Sequence, residues 1–253
     1  MLNDNLNVYV FTSNDYLPVL KPFSHLFNKF WDPRQNVKIV GFDVPTWELP
    51  ENFEFISLGT QRGMHQWSDD YIDFFNSIDD EYFIHMVENE FLLRNVDFTI
   101  VNSLVEFLDD DVGRVDLTPG PSLRKWEMYQ EYEDFDIIQL SQTDQYRLAI
   151  RLNLWNKKYF LKHLRGGENA WEFEIFGNQR AQNDGYKILA TNRKYACYIM
   201  DGTKAKDPTS LDLRAYDATC SSFGMPIDER TIREMIAKDI IISQGTRFRV
   251  KEG

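Results

Sequence analysis

With 253 residues, of which 43% are hydrophobic and 15% aromatic, the chain is long enough for one large α/β domain and far from a disordered composition. A formal charge of −12 and a pI near 4.8 disfavour a nonspecific nucleic-acid or anionic-membrane binder, which needs a basic face. A nucleotide ligand is still allowed, because its phosphates need only a local cation, a basic pair or a helix N-terminus.

Asn7-Val8-Tyr9-Val10-Phe11-Thr12 reads as a first buried strand. Ser13-Asn14-Asp15 ends it and leads into a helix from Tyr16 to Trp31, whose regular part is confined by Pro18 and Pro22. Strands follow at 37–43 and 53–58, then a helix at Trp67-Ser68-Asp69-Asp70 with Ser68 or Asp69 as its cap. Tyr82-Phe83-Ile84-His85-Met86-Val87 is the next strand, and it runs straight into Glu88-Asn89-Glu90. Strands alternating with helices predict a mostly parallel sheet with helices on its faces.

Beyond the acids, the pattern predicts a helix over 96–108, a solvated acidic exit at Asp109-Asp110-Asp111 and a strand over 113–118 broken by Pro119-Gly120-Pro121. The stretch from Trp126 to Asp136 reads as a mobile loop on the acceptor side, followed by strands at 137–140 and 146–153. A helix over 157–165 ends at Gly166-Gly167, and another begins near Trp171. Late strands are expected at 187–190 and 195–200, an amphipathic helix at 228–238, and a short basic tail from Arg247. Cys197 and Cys220, without close spacing or a leader-like start, suggest a reducing setting, and no run reaches the roughly 20 apolar residues of a membrane span.

No glycine-rich phosphate loop, Gly-x-Ser-x-Gly elbow or zinc-like spacing is present, and His25, His65, His85 and His163 are scattered. The acids stand out instead. Glu88 and Glu90 follow a strand, at the sheet edge where ligands of open α/β folds collect. Such a pair can hold a hard divalent cation, or it can simply face water at a turn. Glu168, Glu172 and Glu174 surround Trp171 after the glycine pair, an arrangement suited to deprotonating a sugar hydroxyl beside an indole. It is equally the acid-rich first turn that a helix dipole favours, with Glu168 and Glu172 on one face.

Taken together, Thr12-Ser13-Asn14-Asp15, Trp67-Ser68-Asp69, Phe83 to Leu92 with its Glu88-Asn89-Glu90, and Leu154-Trp155-Asn156 leading to Gly167-Glu168-Asn169-Ala170-Trp171-Glu172-Phe173-Glu174 resemble GT-A-type glycosyltransferases. The likeness is to a group found in bacteria, phages and large viruses, and it runs over about Asn7 to Met200. It implies a GT-A-like (Rossmann-like) α/β fold with a mostly parallel central sheet, flanking helices and a small C-terminal helical extension. One domain is expected over 1–253: a donor-binding half at 1–110, an acceptor half at 111–215, and a C-terminal helix and tail at 216–253.

By position, the resemblance places Thr12, Ser13 and Asp15 at the nucleotide, Asp43 near the base or ribose, and Asp69 facing the donor sugar. Glu88 and Asn89 would meet the metal and diphosphate, and Glu168, or a neighbour among Glu172 and Glu174, would bind the acceptor and act as base. The implied reaction moves a sugar from a UDP- or GDP-type donor to a hydroxyl of a glycan, by inverting displacement, with Mn²⁺ or Mg²⁺. A cytoplasmic setting is expected, the host's if the protein is viral. Asn89 departs from the family's second acid and is a weak cation ligand, so either Glu90 joins Glu88 or metal dependence is lost and Lys204 and Lys206 assist. Asn89 also favours the alternative of a catalytically inactive carbohydrate- or nucleotide-binding protein on the same fold.

Overall fold

The computed structural model describes residues 6–118, 125–192, 195–204, 207–213, 227–245 and 247–251. Pro119 to Pro121, Lys206 and Cys220 lie outside them, as does the side chain of Lys204. The chain forms two compact units, one of residues 1–9, 60–86 and 97–196, the other of 10–59, 87–96 and 197–253.

In the first unit the strand order is Asn7–Phe11, Tyr82–Val87, Asn153–Asn156, Val112–Asp116, Lys187–Thr191, Asp136–Leu140, Trp126–Glu131. Tyr82–Val87, Val112–Asp116, Lys187–Thr191 and Trp126–Glu131 run one way, and Asn153–Asn156 and Asp136–Leu140 run the other. The inner strands are buried along nearly their whole length, and the polar residues among them, Arg114, Asp116, Asn153 and Asn156, are buried too. The Trp67–Asn76 helix buries Tyr71, Phe74 and Phe75. Phe75 stacks on Phe83 at 4.2 Å and meets Phe160 edge-on at 5.2 Å, while Tyr9 meets Phe74 edge-on at 5.2 Å. Each such pair adds about 0.5–1.5 kcal/mol beyond the area it buries.

The second unit orders Phe53–Ser57, Val37–Gly41 and Asn7–Phe11, the last of which straddles the unit boundary. Val37–Gly41 and Phe53–Ser57 pair in parallel from Val37 opposite Phe53 to Gly41 opposite Ser57. The Leu20–Phe30 helix buries Phe23, Leu26 and Phe27, and Phe27 touches Phe53 edge-on at 5.7 Å. Glu90–Leu92 pairs antiparallel with Ile199–Asp201. A further small sheet runs Thr203–Lys204, Asp207–Leu211, Arg247–Val250, Ile241–Gln244. The Glu229–Ala237 helix is capped by Asp228, which accepts the Thr231 N–H at 2.9 Å.

The α/β class and the large, mostly parallel sheet with flanking helices are as the sequence predicts. Several local expectations are corrected. The supposed mobile loop at 126–136 holds the strand Trp126–Glu131, exposed along an edge and therefore without a core-facing pattern. The strand expected at 146–153 is irregular until Asn153–Asn156. Residues 195–200 give strand only at Ile199–Asp201, and the supposed basic tail is the strand Arg247–Val250. The helix expected to be capped by Ser68 or Asp69 starts earlier, at Trp67, directly from a 3-10 turn at Met64–Gln66. Among the described residues no helix is long and apolar enough to cross a membrane.

Candidate functional site

In the second unit, three strand ends gather the donor-side candidates. Thr12 follows the first strand, its N–H bonded to the Val40 carbonyl at 2.9 Å and its Oγ1 donating to the Ser13 carbonyl at 3.2 Å. Asn14 Nδ2 donates to Asp43 Oδ2 at 2.7 Å, and the Asp43 N–H returns to Asn14 Oδ1 at 3.0 Å. This reciprocal pair locks the exits of the first two strands together. Asp43 and Asp15 are exposed, and Ser13 is half-buried.

Glu88 and Asn89 form the turn between Tyr82–Val87 and Glu90–Leu92. Only 6% of Glu88 and 5% of Glu90 is exposed. The Glu88 carboxyl is pushed up to about 8, chiefly by burial and further by the charges of Glu90 and Asp201, while a bond to its own backbone N–H opposes the rise. The Tyr16 hydroxyl is raised by burial and by the charges of Glu88 and Asp201, and it hydrogen-bonds Thr203, which acts the other way.

Asn89 Nδ2 donates to Asp201 Oδ1 at 3.3 Å and to Thr203 Oγ1 at 3.4 Å. Asp201 stands opposite Glu90 in the strand pair. Gly202 follows, its N–H donating to the Asn89 carbonyl at 3.0 Å, and a Cβ there would lie 2.2 Å from the Phe91 ring. Only glycine permits that approach. Tyr16, Asp201 and Thr203 thus join the cluster, although sequence reasoning missed them. The signal that could have found Asp201 is Ile199-Met200-Asp201-Gly202, a short apolar run ending in an acid, like the one before Glu88. The structure brings Glu88 and Glu90 to one turn. Among the described residues, however, no three His, Cys, Asp or Glu side chains are arranged to hold a metal ion.

Glu168, Glu172 and Glu174 lie in the first unit and have three different environments. Glu168 precedes the helix and does not share a helical face with Glu172; its two oxygens accept Arg180 Nη1 and Nη2, each at 2.7 Å. Both carboxylate oxygens are thereby engaged by one guanidinium. Glu172 completes a capping box: Asn169 Oδ1 accepts the Glu172 N–H at 3.0 Å, and Glu172 Oε2 accepts the Asn169 N–H at 2.9 Å. Glu174 lies in a π-helical turn, Phe173–Gly177, a feature frequent at functional sites. Its Oε1 accepts the Ile150 N–H at 2.6 Å. Burial raises its pKa, while that hydrogen bond and the charges of Arg151 and Arg114 pull it down.

Asp69 does not stand free either. Its Oδ2 accepts the Gly167 N–H at 3.0 Å, and a Cβ at Gly166 would lie 2.7 Å from its Oδ1, so it fastens the glycine turn that precedes Glu168. Trp171 is 66% exposed, and Ile175 and Phe176 are exposed on the same helical stretch. In a π turn the i to i+5 spacing keeps both of them near the face that Trp171 occupies. His85 is fully buried and held neutral by burial, which lowers its pKa to about 4 while a bond to the Arg151 carbonyl opposes the shift. It bridges that carbonyl and the Tyr71 hydroxyl, the structural role expected of it. Glu168→Gln is expected to loosen the Arg180 contact by about 1 kcal/mol or less, since both side chains are partly exposed, which urea denaturation checks.

No protein-family model matches the sequence, and no curated protein sequence matches it. Solved structures do. A mannosyltransferase from Pyrobaculum calidifontis, determined in complex with GDP-Man and Mn²⁺, is 14% identical with a TM-score of 0.50, over 80% of this chain and 58% of its own. TarS residues 1–349 from S. aureus are 11% identical at a TM-score of 0.47, over 76% of this chain and 59% of theirs. A197 from STIV is 9% identical at a TM-score of 0.43, over 81% of this chain and 88% of its own. This chain spans less than two thirds of the mannosyltransferase, and at such identity the likeness speaks for architecture alone. That architecture is the one the sequence resemblance implied: the chain has the fold of the GT-A-type glycosyltransferases.

Proposed function

We propose that the protein is a glycosyltransferase that moves a sugar from a UDP- or GDP-type donor to a hydroxyl of a glycan or related acceptor, by inverting displacement. The observation that carries this reading is the meeting, in one unit of a GT-A-type fold, of Glu88 and Asn89 with Tyr16, Asp201 and Thr203. Thr12, Ser13, Asp15 and the Asn14–Asp43 pair stand at the ends of the neighbouring strands, where a nucleotide binds in α/β sheets.

The chemistry asks for two things. A leaving diphosphate needs groups that stabilise its developing charge, and hydrogen-bond donors held in place do this without reorganising. The Tyr16 hydroxyl and the protonated form of Glu88 are such donors. The attacking hydroxyl needs a base, and Glu174 has the attributes of one: a pKa raised by burial and one oxygen anchored on a backbone N–H. Trp171, with Ile175 and Phe176, offers an apolar platform for the C–H face of an acceptor sugar. The described residues close no ligand set around Mn²⁺ or Mg²⁺, so no step is assigned to a metal ion.

A binding protein without turnover is the second reading, supported by Asn89 in an acid's place and by the pairing of Glu168 with Arg180. One experiment separates the two. UDP, GDP, CDP and their common sugars are screened by thermal shift, and each binder is then followed for release of free nucleotide with sugar and glycan acceptors. Binding of one nucleotide family with acceptor-dependent release supports the transferase. Saturable binding without release supports the binding protein, and no binding by any nucleotide overturns both.

A further inference from the structure

We propose that Asn89 occupies the structural place of a divalent cation in this chain: its amide bridges the two strand-end turns, and the nucleotide is bound there without a metal ion. The bridge stands on geometry; only the nature of the ligand rests on the transferase reading.

Acids from separate turns can be held together in two ways, by a cation that both ligate or by N–H and O–H donors placed between them. Here the donors are present. Asp201 Oδ1 accepts Asn89 Nδ2 at 3.3 Å, the Thr203 N–H at 3.2 Å and Thr203 Oγ1 at 3.5 Å. One carboxylate oxygen, Oδ1, thereby collects three donors, and its own lone pairs are spent on them. The orientation of the amide follows from charge, since turning it over would set its oxygen against the carboxylate.

The backbone enforces the same arrangement. The Gly202 N–H bonds the Asn89 carbonyl at 3.0 Å, and Glu90 lies opposite Asp201 in the strand pair, so backbone pairing by itself sets the register of the two turns. Tyr16 extends the chain of donors through Thr203 to the turn after the first strand. An aspartate at position 89 would reverse the logic. It would remove the bridging N–H, add a charge beside Asp201, and create a need for a cation.

The test reads the metal directly. Mn²⁺ is titrated into the wild-type protein and Asn89→Asp, and bound ion is followed by loss of its free EPR signal, with thermal shift in Mn²⁺ and in EDTA. The wild type is expected to leave the signal of free Mn²⁺ unchanged, and its nucleotide affinity should stay within about twofold between Mn²⁺ and EDTA, as linkage requires of an ion that does not bind. Asn89→Asp is expected to gain Mn²⁺ binding and a rise in melting temperature on adding the ion. Stoichiometric Mn²⁺ binding by the wild type, or loss of its nucleotide shift in EDTA, overturns the proposal. If no nucleotide binds, the transferase reading fails while the EPR titration still decides the bridge. Should Asn89→Asp not fold, the wild-type titration alone remains decisive.

Discussion

Glu174→Gln is expected to lower kcat for sugar transfer by about a hundred- to ten-thousand-fold, the span over which a positioned general base contributes, with donor affinity unchanged. The substitution is conservative where it must be. Glutamine keeps an oxygen to accept the Ile150 N–H, which Glu174 Oε1 accepts at 2.6 Å, so the turn at 148–150 stays anchored. What it removes is the ability to take a proton. Burial raises the pKa of this carboxyl, and a base so placed acts only once ionised. The wild-type kcat should therefore rise with pH along an acid limb whose midpoint lies above the ordinary glutamate value, and Glu174→Gln should lose that limb. Glu172→Gln leaves an amide that can still close the Asn169 capping box, and it should change kcat little. If Glu172→Gln or Glu168→Gln abolishes transfer and Glu174→Gln does not, the base has been assigned to the wrong acid.

These three acids also show where sequence reasoning reaches its limit. The first strands, Asn7–Phe11, Val37–Gly41, Phe53–Ser57 and Tyr82–Val87, are legible because each is an apolar run closed by local punctuation, and both run and punctuation are written side by side. The acids after Tyr82–Val87 are legible for the same reason. Their partners are not: Asn89 meets Asp201 and Thr203 across more than a hundred residues, and nothing local marks that meeting. Asp69 shows the same limit from the other side. Its place at a helix start suggests a cap or a ligand contact, yet its bond is to Gly167, 98 residues away.

The stretch at 146–152 fails differently. Leu148, Ile150 and Leu152 alternate as a strand would, but the backbone bonds of this segment go to side chains. Asn178 pairs with both the N–H and carbonyl of Leu148, Glu174 takes the Ile150 N–H, Asn153 donates to the carbonyls of Ala149 and Arg151, and Arg114 donates to the Tyr146 carbonyl. A local pattern cannot reveal partners supplied from 114, 174 and 178. The edge strand Trp126–Glu131 was missed because an exposed edge carries no apolar alternation to read.

That side-chain scaffold implies a large stability effect. Arg147→Met is expected to destabilise the fold by about 3–5 kcal/mol, the cost of leaving a buried charge without its partner. Arg147 is completely buried. Its Nε donates to the Ala181 carbonyl at 2.7 Å, Nη1 to the Ser141 carbonyl at 3.3 Å, and Nη2 to the Tyr186 carbonyl and Asp184 Oδ1, both at 2.7 Å. Methionine fills much of the volume but satisfies none of these acceptors. Asp184 would keep only its bond from His163 among the charged pairings, at 3.0 Å. Removing the stranded acid as well, in Arg147→Met with Asp184→Leu, should recover part of the loss in a urea titration, because the pair's desolvation is then avoided. The pH dependence has a definite sign. Burial raises the Asp184 pKa, but the His163 hydrogen bond and the Arg147 charge outweigh it, so the net shift is below 3.8. A depressed carboxyl contributes its stability above the unfolded value and loses it as pH falls through the folded one. The gap between wild type and Arg147→Met should thus be full at neutral pH and close on acidification below 3.8. A gap that stays constant there would mean that lost packing, and not the ion pair, sets the cost.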